Sequence, residues 1–329
     1  MKTNFILAAM AVFALVSCQK EINVKSPVNQ EESVQLTVNV GSAETKAVTA
    51  DTPEESQLND IQVFVFRQDG SIDAYKKATA SPVTGVSCTV GSRTIYAVVN
   101  CPTDLSAVKS LSELESKTFA FANEKLGGFQ MIGKTVKNIT AADGDATINV
   151  DRAVAKIHLT NIKTDFQVPA HQSMPFQVTK IYAINVTGNY AVTYPASVVA
   201  PTVNVAKLDA TLSGNPKALL LYEPSSPMSV TNGAAAIEID KSFYVYPNYS
   251  TIESNKTRIV VEATLGGTTY YYPLTFGTSI KANTYYDITG LVIKRPGSDD
   301  PNVPVVSKDC GFNINVIDWT TGETISPSI

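Results

Sequence analysis

The sequence predicts an all-β protein of tandem β-sandwiches with one short helix. Three observations carry that reading. Apolar and polar residues alternate with a period of two in segment after segment, the sign of strands with one buried face. These segments recur about every ten residues, with Gly, Pro, Asn or Asp between them, the spacing of an antiparallel sandwich. The composition agrees: 14 tyrosines, 18 glycines and 17 prolines, with valine and threonine abundant, suit strands and turns rather than a helical bundle. A length of 329 residues implies about two domains.

Apolar residues make up 44% of the chain and charged ones 17%, enough for packed cores. The 26 Lys and Arg against 30 Asp and Glu give a net charge of -4. Nucleic acid is therefore not an expected partner, since phosphate binding needs clustered cationic excess. Two histidines, one tryptophan and four cysteines leave little material for a metal or thiol active site.

The chain opens with Met1-Lys2 and an apolar run from Phe5 to Val16. That run is too short to span a bilayer, which takes about 20 residues, and reads as a secretory signal. It ends in Leu15-Val16-Ser17-Cys18. Residues 1–17 are thus expected to be a lipoprotein signal peptide, with Cys18 the lipidation site and several acyl chains the anchor. Gln19 follows, not an Asp that would oppose transfer to the outer membrane. Removing Cys18 leaves Cys88, Cys101 and Cys310, an odd number that cannot all pair within the chain. A hairpin about Gly91 would face Cys88 toward Tyr96 rather than Cys101, so three buried free thiols are expected in place of a disulfide framework.

Residues 19–32 are polar and suit a tether. Val34, Leu36, Val38 and Val40 then form the apolar face of a strand over 34–40. Residues 41–57 carry no apolar period and are expected to be an exposed, flexible loop, a length that is usually functional. The next strand is 61–66, closed by a turn at Asp69-Gly70. A hairpin is expected from 86–90 and 94–100. Leu105, Val108, Leu111 and Leu114 predict a helix over 104–117 with Thr103 or Asp104 as N-cap. Residues 146–150 and 153–159 read as strands separated by the charged pair Asp151-Arg152. The boundary falls there, giving a tether and first strand over 18–46, one sandwich over 47–150 and a second over 151–329. Strands are expected in the second half at 177–187, 190–194, 202–206, 217–222, 235–246, 257–265, 268–276 and 284–293. Gly266-Gly267 signals a tight hairpin. Gly297-Ser298-Asp299-Asp300-Pro301 interrupts the chain before a last strand over 312–319.

Catalytic signatures are absent. His158 and His171 sit at no metal-ligand spacing, and there is no G-x-S-x-G, P-loop or G-x-G-x-x-G. Asp143, Asp145 and Asp151 would suit a loop cation, but Asp-Gly-Asp is first of all a turn. Asp299-Asp300 reads as a solvated bend, and Tyr270-Tyr271-Tyr272 as cross-strand packing before a sugar platform. No enzyme, metal or cofactor is expected.

The two ends of the chain match. Phe312, Ile314 and Val316 form an apolar stripe like that of Val34, Leu36, Val38 and Val40, with Asn313 and Asn315 opposite. Either strand could fill one groove. A sandwich that lost its first strand would expose unpaired edges, which another chain's terminal strand could refill. Such a head-to-tail contact does not close and grows a filament. Both strands could equally lie permanently in their own chain, since alternation alone does not separate these readings.

The chain resembles the FimA-type major fimbrial subunits of Bacteroidetes, the type V pilins. The resemblance runs over Cys18, Thr45-Lys46-Ala47, Ile61-Gln62-Val63-Phe64-Val65-Phe66, Tyr96-Ala97-Val98-Val99-Asn100, Asp151-Arg152-Ala153-Val154-Ala155-Lys156-Ile157, Phe243-Tyr244-Val245-Tyr246-Pro247-Asn248 and Gly297-Ser298-Asp299-Asp300-Pro301, in the family's order. It implies two tandem transthyretin-like β-sandwiches, export as an outer-membrane lipoprotein, and a trypsin-like protease that cuts after a basic residue following the first strand. Lys46 and Ala47 match the cut. The cut would release lipid and strand together, and a donor strand from another subunit would fill the groove, building a surface fimbrium with a role in adhesion. The best-known members carry Arg where this chain has Lys46, so a strictly Arg-specific protease would not process it. The rivals are an anchor or tip subunit of such a pilus, and a non-polymerising surface lipoprotein that binds glycan or host protein with Cys18 still acylated.

Overall fold

The computed structural model describes residues 32–42, 52–191, 215–277, 279–306 and 309–319. The first group of strands is β1 (Ser33–Ser42), β2 (Ile61–Phe66), β3 (Ile72–Ala78), β4 (Val83–Thr89), β5 (Gly91–Val99), β7 (Met131–Ile139) and β8 (Asp145–Arg152), with the short β6 (Thr118–Ala120) outside their sheet. They run in the order β3-β2-β5-β7-β8-β1-β4. Only Met131↔Arg152 and Ile132↔Asp151 join β7 to β8, so the path folds there into two layers. Every residue of β2 is buried, which explains why Ile61-Gln62-Val63-Phe64-Val65-Phe66 is nearly continuous in apolar residues.

The chain passes to a second group between Arg152 and Ala155. This group comprises β9 (Ala155–Thr164), β10 (Phe176–Ile184), β12 (Leu221–Tyr222), β13 (Met228–Val230), β14 (Ile237–Val245), β15 (Arg258–Leu265), β16 (Thr268–Thr275), β17 (Thr284–Ile293) and β18 (Cys310–Asp318). One sheet runs β14-β9-β17-β18; the other runs β12-β10-β15-β16, with β13 also on β10. β11 (Asn189–Ala191) pairs with β6, a small ribbon between the two halves of the chain. The mostly-β sandwich architecture expected from the sequence is present.

Four local expectations are corrected. β4 and β5 do not form a hairpin: β4 pairs with β1, while β5 lies between β2 and β7. The corner at Gly91 (φ +118) is held by the buried Asp73 carboxylate, which accepts from Thr89 N at 2.9 Å and Arg93 Nε at 2.8 Å. Cys88 accordingly stands opposite Val34, not Tyr96. The helix over 104–117 shortens to α1 (Leu111–Glu115), capped by Ser110 and not by Thr103 or Asp104. Ser110 bridges to Ser71 and Ile72 N donates to Lys109 O, so the preceding residues are held against β3. Leu105, Val108 and Leu114 are buried all the same. The strand expected at 217–222 is mostly helical: α3 (Asn215–Leu220) precedes the two-residue β12. Pro216 stands in its first turn, where no backbone N–H is required. A second short helix, α2 (Pro169–Gln172), and β13 carry no sequence period long enough to detect. The strand expected at 202–206 lies outside the described residues.

Gly133 marks the point where β7 passes β8. A Cβ there would meet Asn149 O at 2.1 Å, a backbone atom that no rotamer change relieves. Gly133→Ala should therefore destabilise the chain by about 1–3 kcal/mol, the usual cost of overpacking, read as a lowered urea midpoint. An unchanged midpoint would mean that the two strands separate freely.

Candidate functional site

Strand β1 is held on both edges. It runs parallel to β8 from Thr37↔Asp145 to Ser42↔Val150, and antiparallel to β4 from Ser33↔Thr89 to Val38↔Val83. Leu36 and Val38 are fully buried, Val40 is buried and Val34 half-buried, while Gln35 and Asn39 face solvent. Further bonds fasten it: Thr37 N to Gly144 O at 2.7 Å, and Val40 N to Ser81 Oγ at 2.9 Å. Each large aliphatic side chain so buried contributes about 1.5–3 kcal/mol. Without β1, both β4 and β8 would become open edges over an apolar channel.

Among the described residues, strand β18 has a neighbour on one side only. It pairs antiparallel with β17 from Ile293↔Cys310 to Thr284↔Asp318. Cys310 and Val316 are buried, Phe312 and Ile314 half-buried, Asn313 and Asn315 exposed. The stripe expected from the sequence is thus present, and in this structure it covers its own chain. The ladder is regular from Thr289↔Asn313 to Thr284↔Asp318. Ile317 and Trp319 are also buried, so both faces of the strand's end are covered.

The C-terminal ends of β8 and β18 converge on one buried cluster. Arg152 is 1% exposed and donates through Nε to Glu55 O at 2.7 Å. Its guanidinium lies 4.4 Å from the Trp319 ring centroid, and Trp319 stacks on Tyr244 at 6.3 Å. The Trp319 amide donates to Asn283 O, and Asn283 Nδ2 donates to Asp151 Oδ1 at 2.9 Å. Glu55 is fully buried, paired with Lys156 Nζ at 2.7 Å and accepting from the Tyr244 hydroxyl. The loop expected to be exposed through residue 57 therefore ends earlier. Thr52 to Glu55 form a capping box with Pro53 at the start of a 3₁₀ turn, a T-x-x-E signal readable in the sequence. Arg152 was also legible, since it falls in phase with Ala146, Ile148 and Val150 on the buried face of β8. Removing one partner of such a buried pair typically costs about 3–5 kcal/mol, because the other charge stays buried.

Two titratable groups sit nearby in unusual states. Burial pushes the Glu124 carboxyl up to about 7, although Tyr246 Oη and Gln130 donate to it. His158 lies between two carboxylates, Nδ1 3.0 Å from Asp287 and Nε2 2.9 Å from Asp240. Burial lowers its affinity for a proton, but these two bonds outweigh burial and raise its pKa. It ties β9 to β17 and to β14. Cys88, Cys101 and Cys310 are buried free thiols, as expected; burial pushes Cys88 up to about 11 and Cys310 up to about 12.

Cys18, Lys46 and Ala47 lie outside the described residues. Asp143 pairs with Lys137 at 2.8 Å, apart from Asp151 on Asn283, and among the described residues no group of three His, Cys, Asp or Glu is placed to hold a metal ion. Tyr272 is buried while Tyr270 and Tyr271 are half-buried, so these side chains pack and form no open platform.

A model of the major fimbrial subunit protein (FimA) family matches residues 33–180. A curated relative, the major fimbrium subunit FimA type-2 of Porphyromonas gingivalis, is 24% identical over 202 residues, covering 56% of this chain and 52% of its own. The chain thus spans about half the length of the curated relatives it matches. Among solved structures, a candidate cell adhesion protein from Bacteroides eggerthii superposes with a TM-score of 0.66 at 17% identity, over 88% of this chain and 97% of its own. A fimbrilin from Porphyromonas gingivalis gives 0.61 at 18% identity, over 88% and 98%. These two likenesses are of fold. The family match bears out the resemblance read from the sequence, to FimA-type fimbrial subunits, a family of structural subunits and not of enzymes.

Stability should fall as pH rises from 4.5 toward 7 and beyond. Folded Glu124 holds a proton up to about 7 that the unfolded chain releases near 4.5, so raising pH there favours unfolding. His158, raised above 6.5, stabilises fully below 6.5 and loses its contribution as pH climbs through the folded value. Asp73 and Asp287 are depressed below 3.8 and titrate beneath this window. Where one proton separates the two states, the slope is about 1.4 kcal/mol per pH unit. Urea midpoints across the range should decline, and the double variant Glu124→Ala/His158→Ala should flatten the profile.

Proposed function

We propose that the chain is the structural subunit of a surface fimbrium, exported as a lipoprotein through Cys18, cut between Lys46 and Ala47, and polymerised by donor-strand exchange. Its role is adhesion through the assembled polymer. The observation that carries the reading is the seat of β1. A terminal strand with a four-residue apolar stripe lies between two strands, and its last paired residue, Ser42, precedes Lys46 by four positions. Hydrolysis after Lys46 would detach lipid and strand as one piece.

The energetics favour refilling by β18. In its own chain β18 shares one ladder, with β17. The vacated groove would offer it two, on β4 and β8, and the same apolar lining. The proposed partners are further copies of this chain, joined head to tail, a trypsin-like protease, and the outer membrane before cleavage. The proposed domain division, 47–150 and 151–329, puts groove and donor on different sandwiches.

Surface-extracted polymer should begin at Ala47 by intact mass, and Lys46→Ala should leave a lipidated precursor. Retention of residues 19–46 in the polymer would replace the stalk role with an anchor role. Ile314→Asp/Val316→Asp should yield exported, cleaved monomers without filaments, because unpaired charge in an apolar groove is severely unfavourable. Normal filaments from that variant would assign the donor to another strand.

A further inference from the structure

The two apolar stripes have the same length. β1 presents residues 34, 36, 38 and 40; β18 presents Cys310, Phe312, Ile314 and Val316 at the same spacing of two. Laid end to end, Cys310 takes the place of Val34, Val316 that of Val40, and Asp318 that of Ser42. The elements then coincide over nearly their full lengths of ten and nine residues. A shift of one residue would turn Asn313 and Asn315 into the core.

The direction taken is that of the strand replaced. β1 ends with Ser42 opposite Val150, two residues short of Arg152 on β8. β18 ends with Trp319 against the Arg152 guanidinium of its own chain. A donor entering along the direction of β1 ends with Asp318 in the place of Ser42, two residues short of the acceptor's Arg152, and pairs with β8 and β4 as β1 does. A reversed donor would bring Cys310 there and leave Trp319 at the open end.

In this register Cys310 faces a thiol. Val34 stands directly opposite Cys88 on β4. We infer that in the polymer Cys310 of each donor strand lies opposite Cys88 of the receiving subunit and is joined to it by a disulfide. The inference rests on the strand-exchange reading and adds to it a register and a covalent bond. Residues opposed in an antiparallel pair have Cα atoms about 4.5–5.5 Å apart, within the span of about 4.4–6.8 Å that a disulfide bridges.

The chemistry balances with a disulfide oxidant of the export compartment, where such bonds persist. With both strands at home, burial keeps Cys88 and Cys310 protonated and unreactive. Loss of β1 uncovers Cys88, whose thiolate attacks the oxidant's disulfide and expels one of its sulfurs. The incoming Cys310 thiolate attacks that mixed disulfide and expels the second. Two thiols give up two protons and two electrons, and the oxidant leaves as a dithiol. Cys101 stays reduced, which accounts for the odd number of cysteines left after Cys18.

The test uses filaments sheared from cells expressing the full chain, alkylated in SDS and run without reductant. A ladder of multimers is expected that collapses to monomer with dithiothreitol, and the linked Cys88–Cys310 peptide should appear by mass spectrometry. Cys88→Ala and Cys310→Ala should each abolish the ladder while filaments persist by electron microscopy. Alkylation of both cysteines in assembled filaments, or a Cys88–Cys310 link confined to the monomer band, overturns the inference. A second pair separates the two readings: Val86 lies opposite Leu36, where Phe312 would sit. Val86→Cys/Phe312→Cys, in a Cys88→Ala/Cys310→Ala background, should also give a ladder. If it does while the native cysteines stay free, strand exchange stands and the disulfide falls; if neither pair cross-links within visible filaments, both readings fall.

Discussion

A strand paired on both edges is among the hardest parts of a sheet to remove, and β1 is both so paired and terminal. Its backbone completes the ladders of β4 and β8, and its apolar face closes the core between them. Loss of any other internal strand would cut the chain through the fold. Loss of β1 severs one covalent connection and leaves the remaining path β3-β2-β5-β7-β8 intact, with β4 detached from its neighbour. On the proposed reading, the first sandwich is built around a piece that cleavage separates from it, at the cost of two exposed edges and a hydrophobic channel.

The buried charges gather around Arg152, two residues past the last pairing of β8 with β1. Arg152, Glu55, Lys156, Tyr244 and Trp319 fasten together the turn from Thr52 to Glu55, the end of β8, the start of β9 and the end of β18. Charges in such a place need partners, because each unpaired one is costly. The cluster's bonds hold the turn from Thr52 to Glu55 through residues outside β1.

Much of this was legible in the sequence, because period-two alternation survives wherever one face of a strand is wet. β1, β2, β15, β16 and β17 fall close to their expected spans. What escaped were features set by tertiary contact. The 86–100 region contains two strands and a glycine, as a hairpin does, but the Asp73 carboxylate turns the chain between layers. Helical spacing at 105–114 is real in the burial of Leu105, Val108 and Leu114, yet backbone bonding of Lys109 and Ser110 to β3 cuts the helix short. Of the candidate site, both stripes were readable, and Arg152 and the signal of Thr52 and Glu55 could each be read alone, whereas their gathering into one cluster could not. Charged residues read as solvated until their partners, up to 189 positions away in the case of Glu55 and Tyr244, are brought to them by the fold.

On the proposed reading, the same arrangement explains why assembly would wait for cleavage. While β1 is in place the groove is full, and β18 lowers the free energy most by lying on β17. Once β1 has gone, β18 loses one ladder and gains two by moving to a neighbour, with a like set of apolar residues buried in each state. The side-chain terms nearly cancel, as in other exchanges of equivalent elements between copies. The net drive is then the second ladder together with the closing of the channel. The barrier lies in freeing Trp319 from between Arg152 and Tyr244. Stability of the filament and stability of the precursor are therefore set by different contacts, and substitutions at Trp319 would alter the rate at which β18 leaves its own chain.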